Sequence, residues 1–538
     1  MSSLIRVVVI LLSCAASALA AVPTQKFSVQ YSLSDPAVPA AVKETPASQE
    51  WKGKGPVPGL REFAREKAGA IWLGSDDGAA RFDPKGSHRW DRWQYFYGRR
   101  WLADNAVRNI VVDESSDVRK VWIRTTNGVA CLEWRPMTLE QKAAYFEERI
   151  AARHVRYGMV ADSHLSVAGD VKSNALSDSD NDGLWTAIYL GAQCYRYAVT
   201  GSAEARSNAW RSVQLLMRLE EISGIPGFPA RSFVAAGQRK DHGEWHPTPD
   251  GQWLWKADTS SDESVGHYYG YALYFDLVAN AAEKTAILKV VARLTDHLIR
   301  NDYDLIDLDG KPTRWGQWSE RYFQTEEGKY EAALRCIELL AFLKTAQHIT
   351  GDSKYAAAYQ DRIRRGYAKH MKDYRRWPGG GEINFSDDEL AYLSYDPLLR
   401  YEKNPELRAI YLDGLRFTWG QVRPSLNPLW NYISVASRAG QLSDEVRAES
   451  RLVLERIPVD MIKWSMKNSH RQDVTFRPSE DRFERRQITE VLAPDERPVE
   501  KWNSNPFIPD GGSGGHSEDD GGYFLLAYWM GRYLKAVE

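Results

Sequence analysis

The chain has 538 residues, with Lys+Arg 70 against Asp+Glu 72, a formal charge of -2 and 43% hydrophobic residues. None of the compositional extremes needed by a disordered chain, a polytopic membrane protein or an electrostatic nucleic-acid binder is present, so those classes are excluded. The aromatic content, Trp 20 and Tyr 27, exceeds the needs of a core. Flat rings on a concave surface stack on sugars or bases, and without a basic excess the expected partner is an oligo- or polysaccharide rather than nucleic acid.

In chain order, Arg6 precedes an apolar run, Val7 to Leu12, and Ala18-Leu19-Ala20 offers a small-residue cleavage site. The run is too short to span a bilayer and suits a secretory signal over residues 1–20, so the expected location is secreted or periplasmic. Leu11-Leu12-Ser13-Cys14 also resembles a bacterial lipobox, which would make Cys14 a lipid anchor on the envelope. Cys131, Cys194 and Cys336 are then left, too sparse for a disulfide framework, and no CxxC pair suggests structural zinc.

Residues 21–60 are rich in Pro, Ala, Ser and Lys and read as a linker. A β module follows over 61–136. Within it, Ala70 to Phe82 and Lys120 to Leu132 align without a gap, Trp72 on Trp122 and Gly78 on Gly128. Each is an alternating apolar run, an Asp-Gly or Asn-Gly turn and a second run, which predicts a tight hairpin. These segments resemble the repeats of two-component-regulator propellers, of which two are too few to close a ring.

From residue 137 to 538 the pattern turns helical, with candidate helices near 137–157, 183–200, 203–222, 262–281, 283–300, 328–349, 353–373, 386–400, 405–420, 429–440, 443–468 and 521–537. About a dozen helices in pairs predicts a mainly α fold, an (α/α)6-like toroid. The long connections at 223–261, 301–327 and 469–520 are expected to form the mouth of its funnel. The helix count, the export signal and the stretches Asp180 to Trp185, Asp258 to Glu263 and Ser517 to Gly521 resemble secreted bacterial (α/α)-toroid carbohydrate-active proteins. That resemblance implies a polysaccharide lyase or a glycoside hydrolase, and no catalytic residue is inherited from it.

The residues offer two chemistries. Glu263, His267, Tyr271 and Tyr274 recur at steps of four, four and three and share one helix face. A carboxylate orienting an imidazole beside a phenol would suit β-elimination next to a uronic acid. His267 would be the base, Tyr271 the acid, Glu263 the tuning group, and Arg231 and Asn431 would neutralise the sugar carboxylate. The same stripe also fits a buried polar layer. The second chemistry is inverting hydrolysis, which needs two carboxyl groups about 6.5–9.5 Å apart. Its candidates are Asp182, Glu244, Asp258, Asp262, Glu263, Glu320, Asp519 and Asp520, any of which could instead be a helix cap. Trp185, Trp253, Trp255, Trp315, Trp318 and His516 are the candidate sugar contacts. No cofactor is expected, and a simple Ca²⁺ site on clustered acids is the one metal site left open. Asp178, Asp180, Asp182 and Gly183 match the first half of a Ca²⁺ loop, but Tyr189 stands where the bidentate Glu belongs. A non-catalytic glycan-binding protein is the third reading.

Overall fold

The computed structural model describes residues 23–376 and 384–538. The signal read at 1–20 and Cys14 lie outside them. Among the described residues no helix is long and apolar enough to cross a membrane, and Cys131, Cys194 and Cys336 are three separate buried thiols.

Nine strands build the N-terminal module: β1 (Thr24–Tyr31), β2 (Gln49–Glu50), β3 (Arg61–Arg65), β4 (Ile71–Ser75), β5 (Gly78–Phe82), β6 (Trp93–Phe96), β7 (Val107–Asp113), β8 (Arg119–Thr125) and β9 (Val129–Pro136). They form two antiparallel sheets, ordered β1-β9-β8-β7 and β2-β3-β4-β5-β6. Both expected hairpins are present, β4–β5 and β8–β9. Gly78 has φ +108, and a Cβ there would lie 2.7 Å from the Phe96 carbonyl oxygen, so the turn admits only glycine.

The linker expected at 21–60 is corrected: it supplies β1, a short helix (Ala40–Lys43) and edge strand β2. The alternation of Phe27, Val29 and Tyr31 is a strand signal whose partner, β9, lies far along the chain. The sheets share a core of Trp72, Phe96, Trp101, Val121, Leu132 and Trp134. Buried Glu66 ties them, accepting from Arg81 at 2.7 and 2.8 Å, from Arg119 at 3.0 Å and from the Trp72 indole at 2.9 Å.

Among the described residues, twelve longer helices make the body: α1 (Leu139–Arg153), α2 (Asp182–Thr200), α3 (Ala203–Ile222), α4 (Ser261–Leu277), α5 (Ala281–Arg300), α6 (Glu326–Thr350), α7 (Ser353–Arg364), α8 (Phe385–Tyr401), α9 (Pro405–Val422), α10 (Pro428–Ala436), α11 (Asp444–Arg456) and α12 (Gly522–Tyr533). The even-numbered helices pack in succession, and α12 returns onto α2. The odd-numbered helices lie outside them: α3 on α2, α5 and α7 on α6, α9 on α8 and α10, α11 on α10, and α1 on α12. Sequence explains the sorting. Buried side chains run round most of α4, whereas α7 buries only Tyr355, Tyr359 and Arg362 on one face. Gly191, Gly266 and Gly270 let α2 and α4 approach closely; a Cβ on Gly266 would lie 2.8 Å from the Leu184 Cα.

Caps fix the starts. Asn280 and Glu283 form a capping box on α5, and Asn404 and Asn427 cap α9 and α10 just before a proline. Two boundaries differ most from expectation. The helix read at 443–468 stops at Arg456 because Pro458 drives Ile457 into extended backbone. The one at 353–373 breaks at Gly366, φ +91, leaving a short helix, Tyr367–Met371.

The module docks on the segment after α11 through buried charge. Asp495 holds Lys26 of β1 and Arg456 of α11, the latter at 2.8 and 2.9 Å. The Asp495 carbonyl accepts from the Trp101 indole at 2.9 Å, and the Arg497 carbonyl from Arg100 at 2.8 Å.

Candidate active site

The inner helices begin at one end of the body. The Gly183 amide of α2 donates to Glu263 Oε1 of α4 at 3.1 Å. Phe385 of α8 stacks on Trp430 of α10, centroids 5.5 Å apart, and the Tyr523 hydroxyl of α12 donates to Glu389 of α8. At this end a cleft of about 570 Å³ is lined by the first turns of α4, α6 and α8 and by two segments of the long loop between α11 and α12. First-turn acids Asp262, Glu327 and Asp387 face it, where helix dipoles favour negative charge.

Asp262 and Asp387 differ in environment. Asp262 is half-buried and accepts from the Asn181 side-chain amide at 3.5 Å. Burial pushes the Asp387 carboxyl up to about 6, against the pull of Arg375 and an Asn384 hydrogen bond. Behind them lies a layer of buried carboxyl groups. Burial raises Glu338 to about 7, although it accepts from the Trp318 indole at 2.8 Å and Arg335 at 3.1 Å. Burial raises Glu389 to about 8 and Glu263 well above its ordinary value. The charge of Asp262 contributes to all three shifts, which puts it within electrostatic reach of acids on α4, α6 and α8. The arrangement supplies an acid raised to about 6 and an open carboxyl group on the same cleft, the pair that general acid–base chemistry requires.

Glu389 carries a pH signature. A carboxyl raised in the folded state stabilises most below its unfolded pKa, near 4.5, and that contribution falls as pH rises towards about 8. Glu389→Gln keeps the Tyr523 contact without a titrating group. Melting curves between pH 5 and 9 should therefore fall less steeply for the variant than for the native chain.

The proposed elimination residues occupy other surroundings. His267 is fully buried, with Nδ1 2.7 Å from the Glu263 carbonyl oxygen and Nε2 3.1 Å from that of Leu216. Both nitrogens face backbone carbonyls, to one of which a neutral ring can donate, and the nearest Glu263 carboxyl oxygen is 4.0 Å from Nδ1. Burial lowers the imidazole's pKa and raises that of Glu263 well above its ordinary value, which weakens Glu263 as a tuning anion. Tyr271 is buried with its hydroxyl unpaired. Tyr274 is likewise buried. Arg231 donates to the backbone carbonyls of Asp258 and Asp180 at 2.5 and 3.0 Å. Asn431 is spent on Trp419, Glu449 and Ser450 at 2.9–3.1 Å. Asn431 has no amide hydrogen left for a sugar carboxylate, and Arg231 turns two of its three nitrogens to backbone.

Most carboxylates named from sequence are also committed. Asp182 accepts from Arg156 at 2.7 Å, Ser179 at 2.8 Å and Ser232. Asp258, with φ +46, accepts from the Arg314 amide at 2.9 Å. Glu244 pairs with His246 at 2.9 Å, and Glu320 with Arg365 at 3.0 Å. The half calcium loop is dispersed, since Asp178 and Asp180 share Lys256 while Asp182 faces Arg156. Asp519, Asp520 and Asp162 place oxygens within 4.8 Å of one another, but cations already sit among them. Lys501 reaches Asp162 and Asp520 at 3.2 Å, and Lys463 reaches Asp162 at 3.0 Å.

Of the aromatic candidates, Trp315 lines the cleft, bridged to Ser260 at the start of α4. Trp318 and Trp255 are buried. Trp185 lies under Lys501, and Trp253 packs edge-on to Phe233. His516 binds the Leu165 carbonyl at 2.9 Å. Sequence reading missed Asp387, Tyr330, Arg335 and Phe483. The signal for Asp387 in the sequence is the acidic first turn after the Asn384 cap.

Glu263 explains one glycine. A Cβ on Gly183 would lie 2.0 Å from Glu263 Oε2, so Gly183→Ala should cost about 1–3 kcal/mol, read as a lower denaturation midpoint.

No protein-family model matches the chain, and no curated protein matches it. Among solved structures it is similar to a metagenome-derived glycoside hydrolase family 9 endoglucanase, with TM-score 0.42 and 11% identity over 96% of this chain and 97% of that one. A thermostable endoglucanase mutant from Alicyclobacillus acidocaldarius gives TM-score 0.39 and 10% identity over 87% of this chain and 97% of that one. A sugar epimerase from a ruminal bacterium gives 0.37 and 10% over 73% and 97%.

Proposed function

We propose that the chain is an exported glycan hydrolase built on an (α/α)6 toroid, with Asp387 as general acid and Asp262 as general base. The observation that carries this reading is the placement of the two carboxyl groups: they stand on the first turns of different inner helices, in two distinct environments, on one cleft. Asp387 would protonate the departing glycosidic oxygen while Asp262 removes a proton from water attacking the anomeric carbon. The bond from carbon to the leaving oxygen breaks as the bond to water oxygen forms.

Elimination is the weaker reading because its base, His267, has both nitrogens on backbone carbonyls and its acid, Tyr271, is buried. The test is purified protein against neutral and uronate-containing glycans, scoring reducing ends and the ultraviolet absorbance of an unsaturated sugar. Reducing ends without that absorbance support hydrolysis. Absorbance rising with cleavage overturns it, and neither signal across the panel would favour a binding protein.

A further inference from the structure

We propose that the cleft takes a non-acidic glycan chain, held by the exposed rings of Tyr330 and Phe483; this rests on the hydrolase reading of the same cleft. Tyr330, in the second turn of α6, and Phe483, at the tip of the hairpin Phe476–Ile488, are 60% and 64% exposed. They belong to different elements and line one cleft with Trp315. Rings left in water on separate walls of a cavity offer faces to the C–H surface of a pyranose.

Charge sets the class of sugar. Arg335 and Arg485 face the cleft, but Arg335 is spent on Glu331 and Glu338 at 2.7 and 3.1 Å, and Arg485 on Asp481 at 2.6 Å. Among the described residues, no ion pair engages Asp262 or Glu327, while Arg482, stacked 5.3 Å over Phe483, is the one lining cation without an acidic partner. The helix N-termini offset part of this negative excess, and Asp387 adds to it when ionised. A chain of uronates or sulfated sugars would meet like charge at the catalytic end. A neutral chain would not, and an amino-sugar chain would be attracted.

Asp387→Asn keeps the shape and neutral form of the acid and slows turnover by about 10²–10⁴, so binding can be measured ahead of cleavage. Calorimetric titration would use neutral gluco-, manno- and xylo-oligosaccharides, chitosan oligosaccharides and oligouronates, at low and high salt. The expected result is binding of a neutral or amino oligosaccharide, weakened about tenfold when Tyr330→Ala or Phe483→Ala is added, with no oligouronate binding at low salt. Salt-weakened binding identifies the amino sugar, and salt-insensitive binding the neutral one.

Failure of every non-acidic oligosaccharide to bind, tighter binding of oligouronate, or ring truncations that leave affinity unchanged would overturn the proposal. The two readings fail separately. Native protein releasing reducing ends from a uronate chain defeats only the charge inference, whereas an unsaturated product defeats hydrolysis too. Non-acidic binding without cleavage by the native protein leaves the inference standing and removes the hydrolase.

Discussion

Asp387→Asn and Asp262→Asn should each lower turnover on the native glycan by about 10²–10⁴, the range that a positioned general acid or base contributes, while both variants remain folded. A substrate with a good aryl leaving group separates the roles. It needs no protonation on departure, so it should restore much of the rate to Asp387→Asn and little to Asp262→Asn. The pH profile carries the same assignment: Asp387 must hold its proton, so native turnover should fall as pH rises through about 6. Equal rescue of both variants, or a profile flat across that range in all three proteins, would remove the pair from the mechanism.

Asp495→Ala should be the most destabilising single change, about 3–5 kcal/mol, because it leaves Lys26 and Arg456 buried without their shared anion. Burial alone would raise the Asp495 carboxyl, but Arg456 and Lys26 overcome it and hold the group below the ordinary carboxylate range. A depressed carboxyl contributes its stability above the unfolded pKa, about 4, and loses it as pH falls through the folded value. Native protein should therefore lose stability below about pH 4, and Asp495→Ala should lose less over that interval from a lower starting point. Denaturant midpoints of the two proteins at pH 7 and pH 3 decide this. A variant as stable as the parent at pH 7 would show that the module is not held by this residue.

Local signals carried most of the fold. The helix read at 203–222 coincides with Ala203–Ile222, between the Ser202 cap and the turn at Ser223, and Asp77-Gly78 and Asn127-Gly128 placed both hairpins. What failed was nonlocal. β1 pairs with a strand more than ninety residues away in a segment whose composition reads as linker. The site was less legible for the same reason. The step from Glu263 to His267 does place both on one face of α4, but periodicity does not say whether that face meets a cleft or another helix. Here it meets the backbone of Leu216 on α3. Acidity alone could not separate Asp387 from Asp388 next to it, which is bound by Tyr374 and Arg375 at 2.9 Å. The difference is which neighbour stands across from each side chain, and that exists only once α6, α8 and the distant hairpin are assembled.

The return of α12 onto α2 bears on biogenesis. A chain folding from its N-terminal side can form its helix pairs in order, but the apolar flank of α2 stays open until Gly522–Tyr533 has arrived. Because that closing contact spans most of the sequence, it is slow to find and leaves a sticky edge in the meantime. A polypeptide halted before residue 522 should thus be a chaperone client rather than a smaller enzyme. Supplying the missing segment in trans as a peptide should relieve its aggregation.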